Sequence, residues 1–334
     1  MDSALFYIVI IIIVALAFDY INGFHDAANA IATVVSTRVL SPRQAIVMAG
    51  FFNFVAFFIA GTHVAKTIGT GIISTTIVDN HLILGALIGA VVWNLITWWF
   101  GMPSSSSHAL VGGLIGSALV KNGYDSLVWT GIIKTSIFIV LAPTIGLLLG
   151  LVLMVVVSNL FKNVRATQAN NTFKYLQMLS AAIYSMSHGM NDAQKTMGII
   201  ALVLFSGGYL GTTFYIPLWV SLTCYLFISL GTMGGGWRIV KTMGSKITKL
   251  RPVDGFCAEM AAAISIIGAT FGGIPVSTTH TITGSIIGVG AVKRLTAVRW
   301  GVAGSIIWAW VLTIPMAAII SAMSYQALTF LGVK

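Results

Sequence analysis

The sequence NGFHDAANAIAT at residues 22–33 recurs in altered form as HGMNDAQKTMGI at residues 188–199. Asp26 in the first copy corresponds to Asp192 in the second, 166 residues later. Both motifs lie between apolar stretches, and each has a glycine three residues before its aspartate. This duplication indicates that the chain consists of two related halves.

A second motif is duplicated in the same order. Residues 101–108 read GMPSSSSH and residues 273–280 read GIPVSTTH, so that Pro103 corresponds to Pro275 at a distance of 172 residues. Chance is a weak explanation for two motif pairs with nearly the same spacing. We therefore predict a first repeat at 1–157 and a second repeat at 176–334, joined by the polar connection 158–175.

The composition indicates that both repeats lie in a membrane. Of the 334 residues, 57% are hydrophobic and only 8% are charged, whereas a soluble domain has roughly 25% charged residues. Apolar runs close to the length that crosses a bilayer recur along the chain, and they are continuous rather than alternating. These runs are 4–18, 45–61, 82–100, 128–157, 214–232 and 300–324. The fold class predicted is an all-α integral membrane protein.

We expect each repeat to contain a long helix broken at the glycine of the aspartate motif, a second helix, a re-entrant hairpin and a third spanning helix. The hairpin limbs are predicted at 82–100 with 104–120, and at 256–272 with 277–291. Because a hairpin leaves on the side that it entered, each repeat crosses the membrane three times. The second repeat is therefore inverted relative to the first, an arrangement typical of secondary transporters.

The loop charges orient this topology. The loops 35–44, 158–175, 233–255 and 292–299 contain 13 Lys and Arg residues, whereas 62–81, 121–127 and 207–213 contain only two. Basic loops stay on the cytoplasmic side. We predict a multi-pass protein of the cell membrane with both termini outside and with loops 158–175 and 233–255 in the cytoplasm. Since the net charge of +10 lies in such loops, nucleic acid is not a predicted partner.

The two aspartates are candidates for a coupling-ion site. An ionisable residue at bilayer depth costs on the order of 2.5–3.5 kcal/mol, which makes it a functional hypothesis. Carboxylates, amide oxygens and the free carbonyls of a broken helix suit Na⁺ or a carboxylate that takes up a proton. The alternative is an aspartate that caps a broken helix or pairs with Lys195. The predicted coupling-ion residues are Asn22, Asp26, Asn29, Asn191 and Asp192.

The two hydroxyl runs are candidates for an anion site. A proline followed by Ser and Thr is a helix-start signal, and a helix N-terminus offers free N–H groups and a positive dipole end. Two such ends meeting at mid-membrane would hold a tetrahedral oxyanion, while the alternative is ordinary capping. Lys195 replaces Asn29 of the first repeat, and it either contacts the anion or offsets a lost cation site. The four motif histidines are proton-linked or structural.

Together the four stretches NGFHDAANAIATVVSTRVLSP, SHGMNDAQKTMGIIALVL, GMPSSSSHALVGGLIGSAL and GIPVSTTHTITGSIIGVG resemble the signatures of the inorganic phosphate transporter (PiT) family, in particular its short bacterial low-affinity branch. The resemblance covers residues 18–325. It implies a symporter, usually dimeric, that moves phosphate or metal-phosphate with H⁺ or Na⁺ by alternating access.

By motif position, the resemblance also implies which residues bind the substrates. The phosphate residues it implies are Ser105, Ser106, Ser107, Ser277, Thr278 and Thr279. We also predict Gln194 and Lys195 as phosphate-binding residues. It implies Na⁺ at Asp26, Asn29 and Asp192, and no other metal is assigned. Lys195 departs from the asparagine of Na⁺-coupled relatives, which puts a second symmetric Na⁺ site in doubt.

Two alternatives stay open beside a phosphate symporter, and a third is disfavoured. The hydroxyl runs would also serve a sulfate or other oxyanion permease, and the carboxylates would also suit a passive anion channel. An intramembrane hydrolase is disfavoured because the chain has no G-x-S-x-G or HExxH motif. We therefore expect no enzyme activity and no cofactor other than the coupling cation. The expected partners are phosphate, the lipid bilayer and a second copy of the chain.

Overall fold

The computed structural model describes residues 3–332, which are almost entirely helical. Short 3₁₀ or π turns extend several of the helices, and no named strand occurs in residues 3–332. The α-helices are α1 Ser3–Ser36, α2 Pro42–Val55, α3 His63–Thr70, α4 Asn80–Trp99, α5 Ser106–Asn122, α6 Trp129–Leu160, α7 Ala166–Ser206, α8 Leu218–Gly234, α9 Trp237–Lys241, α10 Pro252–Phe271, α11 Thr278–Lys293 and α12 Trp300–Phe330. The prediction of an all-α fold is confirmed.

The helices have the dimensions of a membrane protein. Among the described residues, five helices are long and apolar enough to cross a bilayer, and the number rises to seven if each of two bent pairs forms one span. Of the 41 residues of α7, those from 184 to 204 are almost all buried. Neighbouring helices therefore shield its polar motif from lipid, as a bilayer requires of charged groups.

The two halves have the same order of elements. Each contains a long helix, a bent helix pair, a hairpin (α4–α5 or α10–α11) and a last long helix with an internal proline, Pro143 in α6 and Pro315 in α12. α1 and α7 run antiparallel, as inverted repeats require, and the Thr196 hydroxyl donates to Asp19 Oδ1 at 2.8 Å between them. The repeat boundaries 1–157 and 176–334 stay a prediction. Of the polar connection predicted at 158–175, only residues 161–165 lie outside α6 and α7.

The position of the helix break differs from the prediction. α1 and α7 continue unbroken through Gly23 and Gly189, and the bend lies in the second element of each half. The α2 and α3 segments meet at 86°, and α8 meets the segment that contains α9 at 63°. A Cβ at Gly23 would lie only 2.1 Å from the Ile228 carbonyl oxygen. The motif glycine therefore allows a neighbouring helix to pack closely against it and does not break its own helix.

Each hairpin packs against the last helix of the other half. α11 lies along α6, and α12 lies along α4 and α5. Glycines make these contacts close, since a Cβ at Gly284 would lie 2.2 Å from the Pro143 carbonyl oxygen and one at Gly116 would lie 2.1 Å from that of Ala318. The halves are therefore intertwined, and the hairpin tips lie at the centre of the protein.

Candidate functional site

The two hydroxyl motifs form the tips of the hairpins, where α5 and α11 begin. Ser105 caps α5 by accepting from the backbone N–H of His108 at 3.3 Å, and Ser277 caps α11 by accepting from that of His280 at 3.2 Å. The rings of these two histidines contact each other with centroids 4.5 Å apart. Both helix N-termini, each with a positive dipole end, are therefore close together.

Several hydrogen-bond donors at the tips are free. In residues 3–332 the hydroxyl groups of Ser106 and Thr278 are buried and form no hydrogen bond. The first N–H groups of an α-helix also have no partner within their own helix. A buried donor without a partner costs about 1–3 kcal/mol, so that an anion accepting from these groups would stabilise this arrangement.

A cluster of ionisable groups lies beside the tips. Asp26, His188 and Asp192 are buried, and each offers one ligand atom within 4.8 Å of the others. His188 is on the same face of α7 as Asp192, four residues earlier, with Nε2 at 3.5 Å from Oδ2. His25 Nδ1 contacts Asp26 Oδ1 at 2.7 Å. Two carboxylates and an imidazole can hold a cation. His188 is not among the predicted coupling-ion residues, because the three ligands come from two helices, α1 and α7, that no local spacing connects.

The carboxylate motif of each half contacts the hydroxyl motif of the other. The Asn29 amide donates to Thr279 Oγ1 at 2.7 Å, and the same hydroxyl lies 3.4 Å from Asp26 Oδ1. In the other half Lys195 Nζ donates to Asp192 Oδ1 at 2.6 Å and also to the Ser107 hydroxyl. The cation cluster and the tips therefore share side chains, so that occupancy of one affects the other.

Three of the predicted site residues have other surroundings. The Gln194 side chain accepts from the N–H groups of Val64 and Ala65 and donates to the Met190 carbonyl, so it caps α3, and its contact with an anion stays a prediction. Asn191 accepts from the Val276 N–H at 3.3 Å and donates to the Ile274 carbonyl, which positions the second tip. The Asn22 amide is buried and forms no hydrogen bond within the described part of the chain.

Residues that are neighbours in a motif therefore have different surroundings in the structure. Gln194 lies one residue before Lys195, but on a helix this turns it to a different face. No sequence signal marks the α3 N-terminus as its partner, because the two are 130 residues apart.

The site is closed on both sides. No predicted binding residue is more than 3% exposed. Two equivalent hydrogen bonds hold the hairpins just before their tips, from Thr67 Oγ1 to the Gly273 carbonyl at 2.7 Å and from Thr242 Oγ1 to the Gly101 carbonyl at 3.2 Å. Each comes from the segment that follows a bend, in the half opposite to the hairpin. The predicted binding residues are therefore closed off from solvent in this structure.

The formal charge of the site is negative. Within residues 3–332, Lys195 is the only Lys or Arg that forms an ion pair with Asp26 or Asp192. With neutral histidines, the two carboxylates and this ammonium group together carry one net negative charge. An anion alone would be repelled by this charge in a buried environment. The site therefore suits an anion together with a cation.

Residues 22–321 match the phosphate transporter family. The chain belongs to this family. A protein of Rhizobium meliloti that is described as a probable low-affinity inorganic phosphate transporter is 59% identical over 98% of each chain. A Bacillus subtilis protein with the same description is 45% identical over 99% of this chain and 100% of its own.

A solved structure shares the fold of this family member. The structure is described as the sodium-dependent phosphate transporter, and it superimposes with a TM-score of 0.89 at 28% identity. The match covers 97% of this chain and 99% of the other. Together with the apolar helices, this membership makes the chain a multi-pass membrane transporter and not an enzyme, as predicted.

Proposed function

We propose that the chain is a secondary active symporter of inorganic phosphate that is driven by a proton or Na⁺ gradient. The observation that carries the proposal is the closed site in which two helix N-termini meet beside two buried carboxylates of opposite repeats. Phosphate accepts from the free first-turn N–H groups of α5 and α11 and from the hydroxyls of Ser106 and Thr278. Such helix ends hold oxyanions without a basic clamp.

The carboxylates give the proposed coupling. The anion enters a site with one net negative charge only if a cation enters with it, because repulsion between buried like charges is large. The cation binds at Asp26 with Asn29 and Thr279 beside it, close to His188 and Asp192. Coupling follows from the shared side chains, since Thr279 lies between the cation and the anion.

Phosphate fits this site better than sulfate. At neutral pH phosphate carries at least one proton, and its P–OH group can donate to a carboxylate oxygen of Asp26 or Asp192. Sulfate has no proton to donate and would leave that acceptor unpaired, which costs roughly 1–3 kcal/mol when the group is buried. A sulfate permease remains the second candidate because the tip hydroxyls suit either anion.

Alternating access follows from the two hairpin contacts. Release of Thr67 from Gly273 frees the second hairpin, and release of Thr242 from Gly101 frees the first. Because inverted repeats place these contacts towards opposite faces, opening one at a time exposes the site to one side of the membrane. We place both termini outside and loops 158–175 and 233–255 in the cytoplasm, and we propose a homodimer.

Uptake of radiolabelled phosphate into proteoliposomes tests the proposal. We expect accumulation that an imposed Na⁺ or proton gradient drives and that excess sulfate does not abolish, and omission of Mg²⁺ shows whether metal-phosphate is the substrate. Sulfate-sensitive accumulation would favour the permease, and flux that no gradient drives would favour a channel.

Asp26 is the residue whose loss tests the coupling. Asp26→Asn removes the carboxylate and keeps the side-chain size, so gradient-driven accumulation should fall to background. Thr144→Ala, a change on the surface of α6, is the matched control and should retain normal uptake. Normal driven uptake in Asp26→Asn would remove Asp26 from the mechanism.

A further inference from the structure

The two copies of the aspartate motif differ at one position next to the site. The first copy has Asn29 where the second has Lys195, three residues after the respective aspartate. Lys195 is buried with 1% of its surface exposed. A buried ammonium group is stable only when its surroundings replace its hydration.

Oxygen atoms surround the Lys195 ammonium group as they would surround a metal cation. Nζ donates to Asp192 Oδ1 at 2.6 Å, to the Val276 carbonyl oxygen at 2.9 Å and to the Ser107 hydroxyl. A carboxylate, a carbonyl at the start of a helix and a hydroxyl are the ligands that a hard cation prefers. The ammonium group therefore occupies a position with the ligands of a cation site.

The three contacts also bear on the other role open to this lysine, contact with the anion. An ammonium group has three protons to donate and cannot accept. All three are used by Asp192, Val276 and Ser107 in this structure. The place of Lys195 among the phosphate residues stays a prediction, and these contacts favour the cation-like role.

The first repeat has the equivalent residues by motif position, without a lysine among them. The motif offsets make Asp26 equivalent to Asp192, Thr279 equivalent to Ser107 and the Ser104 carbonyl equivalent to that of Val276. Asp26 and Thr279 do lie together, with Oδ1 and Oγ1 3.4 Å apart. The shorter Asn29 contacts Thr279, and within residues 3–332 Asp26 is paired with His25, whose Nδ1 lies 2.7 Å from Oδ1, and not with Lys or Arg.

We infer that Lys195 is a tethered cation that permanently fills one of two equivalent cation sites, so that only the site at Asp26 and Thr279 binds a transported cation. This inference rests on the proposed symport. The chain then moves one cation fewer per phosphate than a carrier with asparagine in both repeats. Lys195 neutralises Asp192, and the single mobile cation neutralises Asp26 before the anion binds.

Lys195→Asn tests the inference by a gain of function. The change makes the second repeat resemble the first and leaves Asp192, Ser107 and the Val276 carbonyl free for a cation. We expect Na⁺ to raise the apparent melting temperature of the purified variant, relative to choline, by more than it does for the unmodified protein, because a ligand stabilises the state that binds it. In proteoliposomes with ²²Na⁺ and ³²P, the variant should carry one additional cation per phosphate.

Lys195→Met is the matched control, because it fills a similar volume without charge or oxygen. It should lose gradient-driven uptake and gain no Na⁺ stabilisation. The reciprocal change Asn29→Lys should fill the remaining site and abolish Na⁺-dependent stabilisation and driven uptake together.

The inference is overturned if active Lys195→Asn keeps the cation-to-phosphate ratio of the unmodified protein, or if the folded variant shows no added Na⁺ stabilisation. Failure of Lys195→Asn to fold leaves Asn29→Lys to decide, and a folded Asn29→Lys protein that keeps normal gradient-driven uptake also overturns it. The melting measurement needs no transport, so its result is separate from that of the uptake assay on the unmodified protein.

Discussion

Individual hydroxyl groups at the hairpin tips have different surroundings although they are neighbours in sequence. Ser105 and Ser277 accept from backbone N–H groups and cap their helices. Ser106 and Thr278 lie one position further on, with buried hydroxyls that have no partner in residues 3–332. The capping and anion-binding explanations of these runs therefore apply to different residues and can be tested separately.

Replacing the free hydroxyls should weaken phosphate binding. Each hydrogen bond to a charged group contributes about 1.5–3 kcal/mol, so Ser106→Ala or Thr278→Ala should raise the half-saturating phosphate concentration roughly tenfold or more. Ser105→Ala is the comparison, since loss of a cap should lower stability by about 1 kcal/mol. Uptake kinetics and melting temperatures measure the two effects, and an unchanged half-saturating concentration in both tip variants would contradict the proposed anion contacts.

Helix packing in this protein depends on glycines that lie against a neighbouring backbone. Gly284 and Gly288 of α11 face the α6 backbone, and Gly112 and Gly116 of α5 face that of α12 in the equivalent way. Lipid offers no hydrophobic driving force between helices, so close packing of this kind holds them together. The hairpins are thereby positioned by the opposite half, which brings the tips to a common centre.

Gly288→Ala should weaken this packing. The added Cβ would lie 2.1 Å from the Leu147 carbonyl oxygen, and forced separation of packed elements typically costs about 1–3 kcal/mol. Gly304→Ala is the control, because nothing lies within 4 Å of its Cβ position and alanine favours the helix by up to ~1 kcal/mol. Melting in detergent should drop for the first variant only, and equal melting of both would contradict the packing argument.

The whole molecule is asymmetric in charge across the proposed membrane plane. Basic residues concentrate in the loops that we place in the cytoplasm. Cys224 and Cys257 are buried, which makes them poor targets for a polar thiol reagent and allows single added cysteines to report on orientation.

Labelling with a membrane-impermeant maleimide should confirm the orientation. Thr212 lies in the loop before α8 and Thr167 in the first turn of α7; both are exposed, and we place them on opposite sides. Thr212→Cys should react in intact cells, whereas Thr167→Cys should react only after permeabilisation. The reverse pattern would invert the topology and leave the fold unchanged.

Local composition and the spacing of repeated motifs were enough to predict the helical membrane fold, the two halves and the two kinds of polar motif. These features follow from short stretches of chain, because apolar length and proline–hydroxyl helix starts act within a few residues. The duplicated aspartates and hydroxyl runs likewise indicated which residues to examine for a cation and an anion.

Contacts between distant residues decided the rest. From the sequence, Gly23 could either break its own helix or allow another helix to pack closely against it. The Ile228 backbone that lies against Gly23 shows that it allows close packing. Gln194 caps a helix that begins 131 positions earlier in the chain, and the Lys195 ammonium group is held by Ser107 and Val276, which come from two different hairpins. A motif specifies the chemical groups it carries, whereas the partner that satisfies each buried group is set by packing of the two intertwined repeats.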